Sequence, residues 1–196
     1  MSLKLEFANV RGLGELNQRR MAKYRFEQNT IDIAVYTETK SKPGAEAEWG
    51  YQFPPKQSFY SHFVEGQEAR PARGEQLGPR KPRAGVLIWW KRTVKVLQKL
   101  EIVSGRAAAI QVEVKSGQYW ILGLYAPNTP SEQRAFFLEV QSKVVELGIS
   151  GNVLMGGDVN CVISESERIG ASSNWSMDPG ATELTQLMAS LSLKDV

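Results

Sequence analysis

The chain has 196 residues, 42% of them hydrophobic and 23% charged, the balance of one folded domain large enough for a layered core. No stretch approaches the roughly 18 uninterrupted apolar residues of a membrane helix, and the opening Met-Ser-Leu-Lys-Leu-Glu-Phe has no signal-peptide core. A single cysteine, Cys161, and a single histidine, His62, exclude an internal disulfide and a zinc centre of ordinary composition, and they fit a reducing compartment, nucleus or cytoplasm.

The net charge of +3 hides an asymmetry. Residues 56–106 carry 11 Lys and Arg against 4 Asp and Glu, whereas residues 107–196 carry 5 against 10. A basic centre that includes Arg70, Arg73, Arg80, Lys81, Lys91 and Lys95 suits a phosphate backbone. It equally suits a solvated loop and a lysine-guarded strand edge, and only clustering on one face would separate the two.

Leu3, Leu5 and Phe7 alternate with Lys4 and Glu6, which predicts a first strand ending at Asn9. Residues 15–29 lack Gly and Pro and read as a moderately amphipathic helix, and Ile31 to Thr37 reads as a second strand. Strand, helix, strand in that order predicts a right-handed crossover between parallel neighbours. From Lys40 to Arg83 the chain is rich in Gly, Pro, Glu and Arg, with one short strand expected near Gln57 to Phe63 and a basic surface loop over 65–83. Four strand-like runs follow, at Gly85–Trp90, Val94–Val103, Ala107–Val114 and Tyr119–Tyr125, with Ser116-Gly117 as a hairpin turn. Their antiparallel connection predicts mixed sheets. Thr129-Pro130-Ser131-Glu132 reads as a capping box opening a helix that Gly148 closes. Asn152 to Met155 reads as a strand running into Gly156-Gly157-Asp158, and Leu184, Leu187, Met188 and Leu191 mark a last helix. The sequence stops at Leu193-Lys194-Asp195-Val196, where an apolar run begins, so one domain over 1–196, incomplete at its C-terminus, is the expectation.

Two acidic residues follow apolar strands, Glu38 after the second and Asp158 after the last, and Asn9 holds the equivalent place on the first. In open α/β sheets the carboxyl ends of strands face the ligand crevice, although acidic residues at such places also cap turns. Oxygen donors without histidine or thiol partners favour a hard cation, and Mg2+ takes one or two carboxylates together with a substrate phosphate. Gly12 and Gly14 do not complete a dinucleotide fingerprint, and no Gly-Lys-Ser/Thr phosphate loop occurs. A nucleophilic triad would depend on His62, which sits in an aromatic segment and reads as structural.

Five runs in this order resemble the endonuclease/exonuclease/phosphatase superfamily: Asn9-Val10-Arg11-Gly12-Leu13, Thr37-Glu38-Thr39-Lys40, Gly85-Val86-Leu87-Ile88, Leu124-Tyr125-Ala126-Pro127-Asn128-Thr129-Pro130 and Met155-Gly156-Gly157-Asp158-Val159-Asn160. The Tyr-Ala-Pro-Asn run and the helix behind it look most like the apurinic-endonuclease-like domain of non-LTR retrotransposons. The resemblance implies a DNase I-like, four-layered α/β sandwich of two packed mixed β-sheets, here without its last strands. It implies Mg2+-dependent hydrolysis of a phosphodiester, with Mn2+ as the alternative metal, and DNA nicking as the activity. Carried over residue by residue, Glu38 would bind the metal, Asn9 the metal or phosphate, and Tyr125 the phosphoryl oxygens. Asp158 would orient or deprotonate the attacking water, Asn160 would bond the scissile phosphate, and Asn128 and Arg11 would contact the DNA backbone. DNA is the implied partner, with a reverse transcriptase downstream in the same polyprotein.

This sequence departs from the family pattern at several places. The Asp and the Asp-His pair that family members carry beyond the last helix have no counterpart here, Lys40 stands where many members have histidine, Val159 replaces phenylalanine, and Ser166-Glu167-Arg168 replaces an Asp-Arg. Weakened or absent activity is therefore expected of these 196 residues. The alternatives are a phosphatase of the same superfamily and a non-catalytic DNA-binding remnant.

Overall fold

The computed structural model describes residues 3–42, 59–64, 67–68, 82–164 and 178–195. In chain order the elements are β1 (Leu5–Asn9), α1 (Leu16–Gln28), β2 (Ile33–Thr37), β3 (Phe59–Val64), β4 (Gln67–Glu68) and β5 (Pro82–Arg83). They continue with β6 (Val86–Lys91), β7 (Lys95–Val103), β8 (Ala107–Val114), β9 (Gly117–Tyr125), α2 (Pro130–Glu146), β10 (Asn152–Asp158) and α3 (Ala181–Ser190). The opening strand, helix, strand forms the expected crossover, since β1 pairs with β2 in parallel. Both main sheets are mixed: β1-β2-β6-β3 is antiparallel beyond β2, and β10-β9-β8-β7 is antiparallel except for the parallel pair β10 and β9.

The alternation of side chains along each strand dictates the layers, because successive residues must face opposite sides of a sheet. Ile33, Val35, Val86 and Ile88 point from the first sheet into a core shared with Ala108, Ile110, Val112 and Ile121 of the second. Their neighbours Ala34, Tyr36, Leu87 and Trp89 face the other way and meet Ala22 and Phe26 of α1. Trp89 takes Phe26 and Tyr36 edge-on, with ring centroids 6.2 and 5.6 Å away, contacts worth about 0.5–1.5 kcal/mol each beyond area burial. On the far side of the second sheet, Ala109, Trp120, Leu122 and Leu124 pack against α2 and α3. The buried stripe of α2, Gln133, Phe136, Phe137, Val140 and Val144, keeps helical spacing. The result is helix, sheet, sheet, helices: the expected four-layered sandwich.

Several local readings change in the structure. Proline does stand at the first turn of α2, but Thr129 makes no side-chain cap. Its hydroxyl donates instead to Glu132 Oε2 at 2.6 Å, so the threonine and the glutamate satisfy each other rather than the helix amides. Gly148 closes the helix as expected, in a left-handed conformation with Ile149 N–H donating to Val144 O. The last strand is longer than its apolar run predicts and carries Asp158 as its final residue. No strand forms between Leu191 and Asp195, and Leu193 packs against the outer core.

Of the basic centre, Lys91 and Lys95 lie among the described residues, and Arg70, Arg73, Arg80 and Lys81 lie outside them. Lys91 starts from the strand end opposite Glu38, where its ammonium bonds Asp32 Oδ1 and Thr30 O, and Lys95 pairs with Glu113 across β7 and β8. Both lysines are thus engaged by acidic partners. Of the expected basic loop, Gln67 and Glu68 pair with Arg83 and Pro82 in a two-stranded ribbon. Residues 65–66 and 69–81 lie outside the described residues, as do Trp49, Tyr51, Phe53 and Ser166-Glu167-Arg168. His62 lies in β3 opposite Ile88, on the edge of the first sheet remote from β1.

Candidate active site

The two parallel strand pairs end at the same side of the sandwich. Asn9 is level with Thr37 across β1 and β2, and Asp158 is level with Tyr125 across β10 and β9. The sheets close on one another here because Gly156 leaves room for the Phe7 ring. A Cβ at Gly156 would stand 2.5 Å from Phe7 Cδ1. β1 and β10, remote in sequence, thereby become neighbours and bring their last residues within hydrogen-bond reach.

Asn9 is the joint. Its side-chain amide nitrogen donates to Asp158 Oδ2 at 2.6 Å, across 149 positions of sequence, and it also donates to Glu38. Its carbonyl oxygen accepts the Arg11 N–H at 2.9 Å. The one side-chain amide thus serves both carboxylates, which makes Asn9 a clamp on the acidic pair. The other Asp158 oxygen accepts Asn160 N–H at 3.2 Å. Asn160 is held in turn, since its amide nitrogen donates to Ala126 O at 2.8 Å and its carbonyl oxygen accepts from the buried Gln133 side chain.

Glu38 sits on a backbone of left-handed φ, 57°, and Arg11, Lys40 and Asn160 share that conformation. Strained conformations of this kind persist where surrounding bonds over-determine them, and they gather at functional sites. Here the bonds run from Thr39 N–H to Gly85 O, from Lys40 N–H to Ala84 O and from Leu13 N–H to Thr39 O. Beneath them Thr39 and Ser41 are buried and joined through their hydroxyls at 3.0 Å. The Lys40 ammonium lies 2.8 Å from Glu38 Oε1. Burial opposes the Glu38 charge, but hydrogen bonds from Lys40 and Asn9 and the nearby charges of Lys40 and Arg11 outweigh it, so the carboxyl titrates below its ordinary value.

Tyr125 is half-buried between the acids. Burial first, then the charges of Glu38 and Asp158, push its hydroxyl pKa up against a smaller opposing effect of Arg106. Arg106 lies over the tyrosine ring, 5.5 Å from its centroid, and donates to Tyr125 O at 3.2 Å. Because ionisation is disfavoured, Tyr125 remains a hydrogen-bond donor through neutral and moderately alkaline pH. The midpoint of the Tyr125 13Cζ titration should accordingly lie above that of an ordinary tyrosine; a midpoint at or below the ordinary one would contradict this environment.

The structure therefore brings Asn9, Glu38, Tyr125, Asp158 and Asn160 together, with Arg11 exposed on the rim. Asn128 is exposed on the loop that follows Tyr125. Sequence reasoning missed Arg106, Gln133 and the Thr39–Ser41 pair. Arg106 stood in the Ser-Gly-Arg turn between two predicted strands, a visible signal; Gln133 was hidden by its helical setting.

Among the described residues no group of three or more His, Cys, Asp or Glu side chains forms a closed metal cage. The donor set nevertheless fits a magnesium ion, which is satisfied by one or two carboxylates and substrate oxygens. Glu38 already holds a cationic group, the Lys40 ammonium, at 2.8 Å, so its carboxylate stands where positive charge is stable.

By sequence the chain matches no protein-family model and no curated protein. By structure it resembles the 3' phosphatase NExo from Neisseria, solved with a product DNA hairpin, at TM-score 0.65 and 16% identity, covering 96% of this chain and 71% of that one. The endonuclease domain of TRAS1, a telomere-specific non-LTR retrotransposon, matches at TM-score 0.58 and 14% identity, covering 97% and 71%. An AP endonuclease from Archaeoglobus fulgidus matches at 0.63 and 13%, covering 96% and 70%. Strand pairing, layer order and these likenesses agree that the chain has a DNase I-like fold.

Proposed function

We propose that the chain is a Mg2+-dependent phosphodiesterase that nicks DNA, of the kind that serves as the endonuclease domain of a non-LTR retrotransposon polyprotein alongside a reverse transcriptase. The observation that supports this reading most is the Asn9 clamp, which holds Glu38 and Asp158 on adjoining strand ends of two different sheets beside the Tyr125 hydroxyl. Turn-capping carboxylates need no such shared partner.

A magnesium ion held by Glu38 would supply charge to the phosphoryl oxygens of the substrate. Around it the chain's own groups have distinct tasks. Tyr125 donates its hydroxyl hydrogen to a phosphoryl oxygen, and Asn160 has one amide hydrogen left for the scissile phosphate after bonding Ala126 O. Asp158, fixed at both oxygens, orients the attacking water and accepts its proton. Arg11 and Asn128 are exposed where a backbone would pass. No histidine lies near these groups, since His62 is on the remote edge of the first sheet. Without an imidazole, proton transfer rests on Asp158, and turnover by these residues should fall short by about 10²–10⁴-fold, the usual contribution of a positioned acid or base.

For these 196 residues taken alone, the separation of His62 from the site also favours a second reading, a DNA-binding remnant without turnover. Supercoiled plasmid separates the two. A nuclease converts it to open circles in Mg2+ and not in EDTA, whereas a remnant retards DNA in a salt-dependent manner and leaves its topology unchanged under every metal. Release of phosphate from a 3'-phosphorylated oligonucleotide, with the plasmid left closed, would instead favour a phosphatase.

A further inference from the structure

The Lys40 side chain is bound to the very carboxylate that the functional reading gives to the metal. Its ammonium is 2.8 Å from Glu38 Oε1, its stem passes the side-chain-free position at Gly12, and its backbone N–H is fixed to Ala84 O. Without a cation, Glu38 and Asp158 would stand as two carboxylates sharing the hydrogens of one asparagine and flanking one tyrosine hydroxyl. Like charges so arranged repel, and an asparagine clamp adds no charge to offset them.

We infer that Lys40 is a resident counter-cation for the site: it keeps Glu38 in place while no metal is bound, and it must be displaced from Glu38 when a divalent ion arrives. The inference rests on the metal reading of Glu38. Two features of the structure make displacement feasible. The Lys40 side chain is 43% exposed and that of Glu38 19%, so the ammonium can exchange its partner for water or a substrate phosphate while the carboxylate stays put. The lysine backbone is anchored, so the released ammonium remains tethered at the mouth of the site. Lys40 therefore gives the chain a preassembled site at the expense of metal affinity, because a binding-competent Glu38 is only part of the population.

Loss of the Lys40 charge should change metal affinity with a sign opposite to that expected of a purely structural lysine. Mn2+ binding to the 196-residue chain, followed by the loss of the free-ion EPR signal, should tighten about fivefold in Lys40→Gln, the equivalent of about 1 kcal/mol for a partly exposed ion pair. Lys40→Arg should restore the weaker, wild-type affinity, and Glu38→Gln should abolish binding in either background. Glu38-dependent binding that Lys40→Gln leaves unchanged or weakens overturns the counter-cation role alone. Absence of Glu38-dependent binding in every variant overturns the metal reading as well, and the role with it.

Discussion

Nicking of supercoiled DNA will be lost, by at least about 10²-fold, in both Glu38→Gln and Asp158→Asn, with folding retained. The magnitude follows from what each oxygen does: preorganised charge at a developing phosphoryl anion and a positioned proton acceptor each contribute on the order of 10²–10⁴ in rate. Retained folding follows from the surroundings. Glu38→Gln removes a partly exposed ion pair with Lys40, an interaction worth about 1 kcal/mol, and leaves a side chain of the same shape under the Asn9 amide. Asp158→Asn keeps an acceptor oxygen that can face either Asn9 or Asn160. Plasmid relaxation beside circular dichroism melting measures both halves. Two folded variants that nick at the wild-type rate would remove Glu38 and Asp158 from the chemistry.

The legible part of the fold was the part written in short-range pattern. Alternation along 33–37, 86–91 and 107–125 and the stripe of α2 exist because each of these segments buries one or both faces, and burial selects the residue types. The capping box at Thr129 was misread because an acidic residue three positions on satisfies the same sequence rule whether it reaches the backbone amide or the threonine hydroxyl. The charge run left two readings open for a different reason. A count of charge along the chain cannot register that β6 runs from the Glu38 end of the first sheet to the opposite end, where Lys91 meets Asp32.

At the site, residue types and their places after strands were visible, but the clamp was not. That Asn9 should bond Asp158 depends on β1 and β10 meeting across two different sheets, and such a contact leaves no periodicity. Lys40 was visible only as an unusual residue beside Glu38. Its ion pair needs two left-handed residues, Glu38 and Lys40, to turn both side chains the same way. Arg106, on a turn between β7 and β8, reaches Tyr125 only because β8 and β9 are paired in register.

Gly157→Ala should be the most damaging one-atom change at the site. Gly157 has φ of +134°, a region that residues with a Cβ rarely adopt, and a Cβ there would lie 2.1 Å from the carbonyl oxygen of Leu124. That oxygen is backbone within the parallel β9 and β10 pairing, so it cannot swing aside as a side chain would. Relief therefore requires the end of β10 to peel from β9, which moves Asp158, the next residue, away from Asn9 and breaks the 2.8 Å bond from Ala126 N–H to Asp158 O. Strain and overpacking of this kind cost about 3 kcal/mol together, or roughly 6–12 °C in Tm for a chain of this size. Gly151→Ala is the control, since Gly151 has positive φ but no atom within 4 Å of an added Cβ. It should lose only the cost of the conformation, about 1 kcal/mol. A thermal melt in which both variants fall equally would mean that conformation alone, and not the Leu124 carbonyl, fixes glycine before Asp158. A larger loss at Gly157 alone, with nicking lost beyond what the melt accounts for, would mean that β10 is held against β9 to aim Asp158.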